Sequence, residues 1–81
     1  MTFREFAKLI DQGRAFSGTV LGTGGMEATI AIEYDEDETP DISLLVPYEK
    51  PRQFTSFDQV ESFWWMRYPF DDELANVEIT P

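Results

Sequence analysis

The chain has 81 residues, of which 16 are acidic and 6 basic, giving a formal net charge of −10 at pH 7. Hydrophobic residues make up 42% of the sequence and aromatic residues 15%, a composition that excludes a disordered acidic tail. Cysteine and histidine are both missing, which excludes disulfides, thiolate zinc sites and the common nucleophilic triads. We therefore expect one compact acidic domain spanning residues 1–81.

The sequence carries no signal for membrane insertion or export. No apolar run approaches the roughly 18 residues that a membrane span needs, and charges interrupt the N-terminal segment where a signal peptide would be apolar. The absence of cysteine suits a reducing compartment. These features predict a soluble, cytoplasmic protein that does not bind membranes.

The N-terminal segment has the pattern of an amphipathic helix. Thr2 and Glu5 have the spacing of a capping box, and Gly13 is a natural helix end. Apolar residues at helical spacing, namely Phe3, Phe6, Leu9 and Ile10, form one face. The opposite face carries Arg4, Lys8, Asp11 and Gln12.

Alternating segments then predict a three-stranded antiparallel meander. In the first strand Phe16, Gly18 and Val20 share one face, and the glycine-rich residues 22–25 form the turn. The second strand, residues 26–34, places on one face Met26, Ala28, Ile30, Ile32 and Tyr34. The third follows an acidic loop and aligns Ile42, Leu44, Val46 and Tyr48, with Pro47 at an edge or at the strand's end.

A second helix and a short final strand complete the predicted fold. Thr55 or Ser56 can cap the helix, Pro69 stops it, and its apolar face comprises Phe57, Val60, Phe63 and Trp64. The tail alternates Leu74, Val77 and Ile79 with polar residues, which fits a short strand, although residues 71–74 also fit a helical turn. The prediction is an α+β domain with both helices on one face of a small sheet.

Catalytic, phosphate-binding and metal-binding functions are disfavoured. The carboxylates cluster in turn-like sequence, where water keeps them ionised, and a domain of this size leaves little room for a substrate pocket. A strand rather than a helix follows the glycines, unlike in a phosphate-binding loop. The acidic loop fits a calcium-binding EF-hand poorly, because Pro40 replaces the required glycine. We expect no enzyme activity, cofactor or dedicated metal site.

The charge distribution predicts a binding surface instead. Between residues 15 and 49 there are eight acidic residues and no basic one. Such a surface repels nucleic acid directly but attracts a basic protein, whose Lys/Arg groove it can fill in place of phosphates. The candidate partner-binding residues in this region are Glu33, Asp35, Glu36, Asp37, Glu38 and Asp41. A second acidic cluster, Asp71, Asp72, Glu73 and Glu78, extends the surface if the fold brings the C-terminus alongside.

Trp65 is a further candidate because helical spacing places it on the polar side of the second helix. With Arg67 and Tyr68 it would form the kind of exposed cluster that anchors protein partners. The alternatives are that Trp65 packs on Phe70 beneath the turn at Pro69, or that it is buried in a homodimer. A monomer and a homodimer therefore both remain open.

In its size and one-sided charge the whole chain resembles small phage- and plasmid-borne inhibitors that imitate DNA, among them anti-CRISPR and anti-restriction proteins. The resemblance implies a non-enzymatic inhibitor that docks on the basic nucleic-acid-binding surface of a partner, and it carries over no individual residue. Two alternatives are an immunity protein or antitoxin that neutralises a basic nuclease, and a homo-oligomeric structural module. A solvated loop with no partner is the simplest explanation of the acidic run.

Overall fold

A computed structural model describes residues 1–68 and 74–79 of the chain. Its helices are α1 (Phe3–Asp11) and α2 (Phe57–Arg67), with a 3₁₀ turn at Thr23–Gly25. Its strands are β1 (Ala15–Leu21), β2 (Glu27–Tyr34), β3 (Pro40–Leu45), β4 (Arg52–Phe54) and β5 (Leu74–Ile79). The α+β class is confirmed, whereas the sheet has five strands in place of the predicted three-stranded meander with a short closing strand.

Helix α1 begins and ends at the predicted signals. The Glu5 amide donates to the Thr2 hydroxyl oxygen at 3.2 Å, which caps the first turn. At the other end Gly13 has a φ of 70°. Its amide donates to the carbonyl of Ile10 at 3.0 Å and the Arg14 amide to that of Leu9 at 2.9 Å. This pair of bonds is a Schellman motif, which requires the left-handed conformation that glycine adopts without strain.

The five strands form one antiparallel sheet in the order β4-β3-β2-β1-β5. Strands β1 to β4 are joined consecutively, with Gly18 opposite Ile30 and Ile32 opposite Ile42 in the register. Strand β5 crosses over to pair with β1 on the far side, so the predicted final strand is confirmed. The two edges of the sheet are therefore the short β4 and the longer β5.

Both helices cover the same face of the sheet, as predicted, and the core lies between them and the strands. Alternate residues of β2 and β3 are buried against it: Ala28, Ile30, Ile32, Ile42 and Leu44. The helices contribute the apolar side chains Phe3, Phe6, Ile10, Phe57, Val60 and Trp64. Phe57 lies at ring-centroid distances of 5.4 Å from both Phe3 and Phe6, which joins the two helices. The opposite side, here called the outer face, carries no helix among the described residues.

Two apolar residues that the strand pattern placed on the same face as buried residues are exposed. A bulge between Ala15 and Ser17 shifts the register of β1, so Ala15 is buried and Phe16 is 45% exposed. Tyr48 lies beyond the end of β3, in a turn closed by the Glu49 amide donating to the Val46 carbonyl at 3.2 Å. Pro47 thus marks the strand's end, and Tyr48 turns away from Val46 into solvent.

Two further details differ around α2. Strand β4 was not predicted, because three residues bounded by proline and a turn are too short for alternation to be visible. Ser56 occupies the cap position of α2 but makes no capping hydrogen bond through its side chain. Instead the Gln59 side chain accepts from the Thr55 amide at 3.1 Å and from its hydroxyl at 3.3 Å. Neither helix of the described chain is long and apolar enough to cross a bilayer.

Candidate protein-binding surface

The acidic loop is a tight hairpin turn between β2 and β3. One oxygen of the Asp35 carboxylate accepts hydrogen bonds from the backbone amides of Asp37 at 3.0 Å and Thr39 at 2.8 Å. The turn is closed by the Glu38 amide, which donates to the Asp35 carbonyl at 2.9 Å. Asp35 therefore shapes the turn, an ordinary role for aspartate in loops. Glu36, Asp37 and Glu38 project into solvent with no hydrogen bond that fixes the turn through their side chains.

Glu38 occupies a backbone conformation that its side chain disfavours. Its φ is 61°, in the left-handed region where glycine or asparagine is usual. A non-glycine residue there costs roughly 1–2 kcal/mol. The turn thus keeps a carboxylate at a position where folding favours a different residue.

Like charges also face each other where the hairpin joins the sheet. Glu33 and Asp41 are cross-strand partners on β2 and β3, and both are exposed. Directly opposed like charges destabilise an antiparallel pair. Together with the loop, this pair places all six predicted carboxylates of residues 33–41 at one end of the sheet.

The outer face extends this charge along the sheet. Residues that alternate with the buried ones on β1, β2 and β3 point outward, and apart from the charged residues and the exposed Leu21 and Leu45 they have short side chains: Ser17, Thr19, Thr29, Ala31 and Ser43. The charged residues of this face, including β5 through its register with β1, are all carboxylates: Glu27, Glu33, Asp41 and Glu78. The hairpin carboxylates and these four residues form what we call the acidic surface.

Four of the six cations lie on the helical side of the sheet. Arg4 and Lys8 are exposed on α1, which covers this side of the sheet. Arg52 pairs in register with the buried Leu44, so it points to the helical side, and its guanidinium lies 4.7 Å from the Phe63 ring centroid. Arg67 of α2 lies at the same distance from that ring. The fold therefore separates the acidic surface from the helical side, which carries both signs of charge.

The structure does not bring Trp65 to the acidic hairpin. Trp65 is 43% exposed near the C-terminal end of α2. At that end Trp64 and Tyr68 pack against Gly22, whereas the hairpin follows the opposite end of β2. Tyr68 is half-buried with its ring centroid 4.6 Å from that of Trp64, so the exposed cluster expected from Trp65, Arg67 and Tyr68 does not form as such.

Some predicted features fall outside the described residues or are not seen within them. Asp71, Asp72 and Glu73, with Pro69 and Phe70, lie outside the described ranges. Within those ranges there is no group of three acidic side chains placed to hold a metal ion. The candidate site considered below therefore comprises the hairpin and the outer face.

The sequence-based prediction missed two kinds of surface residue. Glu27 and Glu78 were expected to contribute to the negative field but were not named as partner-binding residues, because the register of β1 with both neighbours decides which way they point. Tyr48 was placed on the same strand face as Val46 although the segment Val46–Glu49 has proline at the second position of a turn, where it is favoured. That proline was the available signal.

Comparisons with protein-family models, with curated proteins and with solved structures gave no match. The interpretation of function accordingly depends on the surface itself.

Proposed function

We propose that this protein is a non-enzymatic inhibitor whose acidic surface occupies the basic nucleic-acid-binding surface of a partner protein. The observation that supports it is the arrangement of charge: the charged residues of the outer-face strands and the hairpin are carboxylates, while four of the six cations, Arg4, Lys8, Arg52 and Arg67, lie on the helical side. A surface of one sign guides a partner of opposite sign into a defined orientation and raises its association rate. Nucleic acid itself is repelled by the same field.

The costs built into this surface also support a binding role. Glu33 opposes Asp41, and Glu38 adopts a left-handed conformation, so three carboxylates are kept where each lowers the stability of the free protein. A loop that only needs hydration could use asparagine, glycine or a mixture of charges at these positions. A cationic partner would relieve the repulsion on binding. The inhibitor would act in the cytoplasm, where such partners work on nucleic acid.

The test compares two variants of equal charge. The hairpin variant replaces Glu36, Asp37 and Glu38 by Gln, Asn and Gln, and leaves Asp35 in place because it holds the turn. The control variant replaces Asp11, Asp58 and Glu61 of the two helices by Asn, Asn and Gln. Each protein is immobilised, host lysate is passed over it, and bound proteins are eluted in a salt gradient, identified, and challenged with duplex DNA.

We expect the unmodified protein and the control variant to capture the same basic nucleic-acid-binding protein, which DNA displaces. The hairpin variant should release it at much lower salt, because fewer counter-charges hold the complex. Elution of the partner at the same salt concentration from both variants would contradict the proposal. Recovery of the protein alone, with a mass that depends on concentration, would favour the homo-oligomeric module.

An immunity protein or antitoxin would use the same surface against a basic nuclease. The identity of the captured protein distinguishes the two functions. A toxin encoded beside this gene would indicate an immunity protein, whereas a defence nuclease or CRISPR effector would indicate an inhibitor. The chemistry of the acidic surface is the same in both.

A further inference from the structure

An open cleft lies on the outer face at the end of the sheet opposite to the acidic hairpin. Its volume is about 420 Å³, and it is lined by Glu27, Thr29, Leu45, Val46, Pro47 and Glu49. Thr29 and Leu45 are the last cross-strand pair of β2 and β3 at this end, and Glu27 and Pro47 each lie two residues beyond that pair. The lining of the cleft thus combines apolar side chains with two carboxylates.

One of these carboxylates already binds a cation of the same chain. A guanidinium nitrogen of Arg67, at the end of α2, lies 3.2 Å from a carboxylate oxygen of Glu49. Both side chains are more than a third exposed, so an incoming cation can compete for this ion pair. This ion pair shows that the Glu49 carboxylate can bind a guanidinium group at the cleft.

Tyr48 is next to the cleft-lining residues in sequence, and both its backbone conformation and its exposure are unusual. It lies between the lining residues Pro47 and Glu49, its side chain is fully exposed, and its φ is 67°. An aromatic residue with a positive φ is uncommon, and such strain is concentrated where proteins bind or react. An exposed tyrosine ring offers a face for a cation and is a frequent anchor in protein interfaces.

We propose that this cleft receives a single lysine or arginine side chain of the partner protein. The proposal rests on the function proposed above and specifies where, apart from the hairpin, the partner makes contact. Lysine and arginine have an aliphatic stem and a charged head, which match the apolar lining residues Leu45 and Pro47 and the carboxylates of Glu27 and Glu49. The Tyr48 ring adds a cation–π contact beside them.

The position of the cleft also constrains the partner. Glu27 and Glu33 lie at the two ends of β2, a separation of about 20 Å along the strand. Between them β2 itself has only the short outward side chains of Thr29 and Ala31, and Leu45 of β3 lies opposite Thr29. The partner therefore presents two cationic groups separated by roughly that distance.

The first measurement uses small probes that carry one cation each. The peptides acetyl-Gly-Lys-Gly-amide and acetyl-Gly-Arg-Gly-amide are titrated into the protein at low salt, and backbone amide shifts are followed by NMR. A third peptide with diaminobutyrate in place of lysine, compared at about pH 6 where both amines are protonated, has the same charge but a shorter stem. We expect the long-stem peptides to shift the amides of Thr29, Leu45 and Glu49 and to bind several-fold more tightly than the short one.

Two pairs of variants separate the cleft from the general field. Glu27→Gln should weaken lysine-peptide binding about three- to tenfold, while Glu78→Gln, on the same face but on β5, should change it less than twofold. Arg67→Gln frees Glu49 and should strengthen binding more than Lys8→Gln, which makes the same charge change on α1. Thermal melts confirm that all four variants fold.

The outcomes distinguish this proposal from the proposed function. If the lysine and short-stem peptides bind equally, or if shifts are confined to residues 35–38, the cleft is not a side-chain site, although the inhibitor function is unaffected. If the cleft responds as expected but the hairpin variant captures its partner unchanged, the cleft site stands and the hairpin contact is wrong. Equal effects of Glu27→Gln and Glu78→Gln would also overturn the cleft site.

Discussion

At the scale of single residues, Tyr34 joins the end of α1 to the sheet. Its hydroxyl donates to the carbonyl of Ala15 at 2.7 Å and lies 3.4 Å from that of Ile10. Burial raises the pKa of Tyr34 above its ordinary value of about 10, and the negative charge of nearby Asp11 acts in the same direction. The neutral, donating form is therefore the one that the fold stabilises.

Tyr34→Phe should lower the free energy of unfolding by about 1 kcal/mol at pH 7, because the Ala15 carbonyl loses a donor. Since the folded pKa lies above the unfolded one, this contribution is complete below about pH 10 and is lost as the pH rises through the folded value. Denaturant unfolding of both proteins at pH 7, 9 and about 11 measures it. Tyr48→Phe is the control, because its hydroxyl is exposed. If Tyr34→Phe left the free energy of unfolding unchanged, the hydrogen bond to Ala15 would contribute nothing to stability.

Prediction of single residues from the sequence was accurate where a local signal determines the structure. It was wrong where a bulge adds one residue to a strand or where a strand ends earlier than its pattern. Thr2 and Gly13 were identified because capping depends only on neighbouring backbone. Phe16 was misassigned because a bulge reverses the side that each following residue faces, and alternation alone does not reveal a bulge. Tyr48 was misassigned because the alternation was continued past Pro47 into a turn.

At the scale of elements, Gly18 sets how closely α1 and β5 approach β1. It is buried and pairs with Ile30 on one side and Val77 on the other. A methyl group at this position would lie 2.8 Å from a Leu74 methyl carbon and 3.0 Å from the Phe6 ring. Glycine is therefore required by the packing of a helix onto a central strand, not by the backbone conformation.

Gly18→Ala should lower the free energy of unfolding by about 1–3 kcal/mol, since Phe6 is fully buried and Leu74 nearly so, and neither can move without disturbing the core. Thermal unfolding compares it with Ser17→Ala, whose side chain points away from the helices. The Ser17 variant should change stability by less than about 0.5 kcal/mol. Equal melting temperatures for the two variants would mean that the helix shifts freely.

Elements were predictable in proportion to their length and periodicity. Strand β2 and helix α1 have long, regular patterns and were identified almost to the residue. Strand β4 is three residues long and was missed, although it pairs with β3 and completes the sheet. The position of β5 next to β1 could not be derived from the sequence, because pairing between distant strands depends on the whole fold.

At the scale of the whole molecule, a net charge of −10 on 81 residues makes self-repulsion a property of the folded state. Raising NaCl from about 0.05 to 0.5 M should increase Tm by several degrees, because screening weakens repulsion across the acidic surface. Calorimetry measures this directly. The hairpin variant should show a smaller increase than the control variant, and a Tm independent of salt would contradict the prediction.

The acidic loop and a one-sided negative field could be predicted from the sequence, whereas which residues share the acidic surface could not. Six carboxylates within residues 33–41 identify the loop by composition alone. That Glu27 and Glu78 point to the same side as Glu33, while Arg52 points to the other, follows from strand register. The cleft likewise depends on where β3 stops and its following turn begins.

The pairing of β1 with β5 affects how the chain folds. Strands β1 to β4 form consecutive hairpins, whose pairing residues are close in sequence. Val20 and Leu74 are far apart in sequence, so they can pair only after most of the chain has been ordered. Closure of that long loop costs entropy before any contact compensates for it. Strand β5 is therefore expected to dock late, and its amides to exchange with solvent sooner than those of β2, which is paired on both sides.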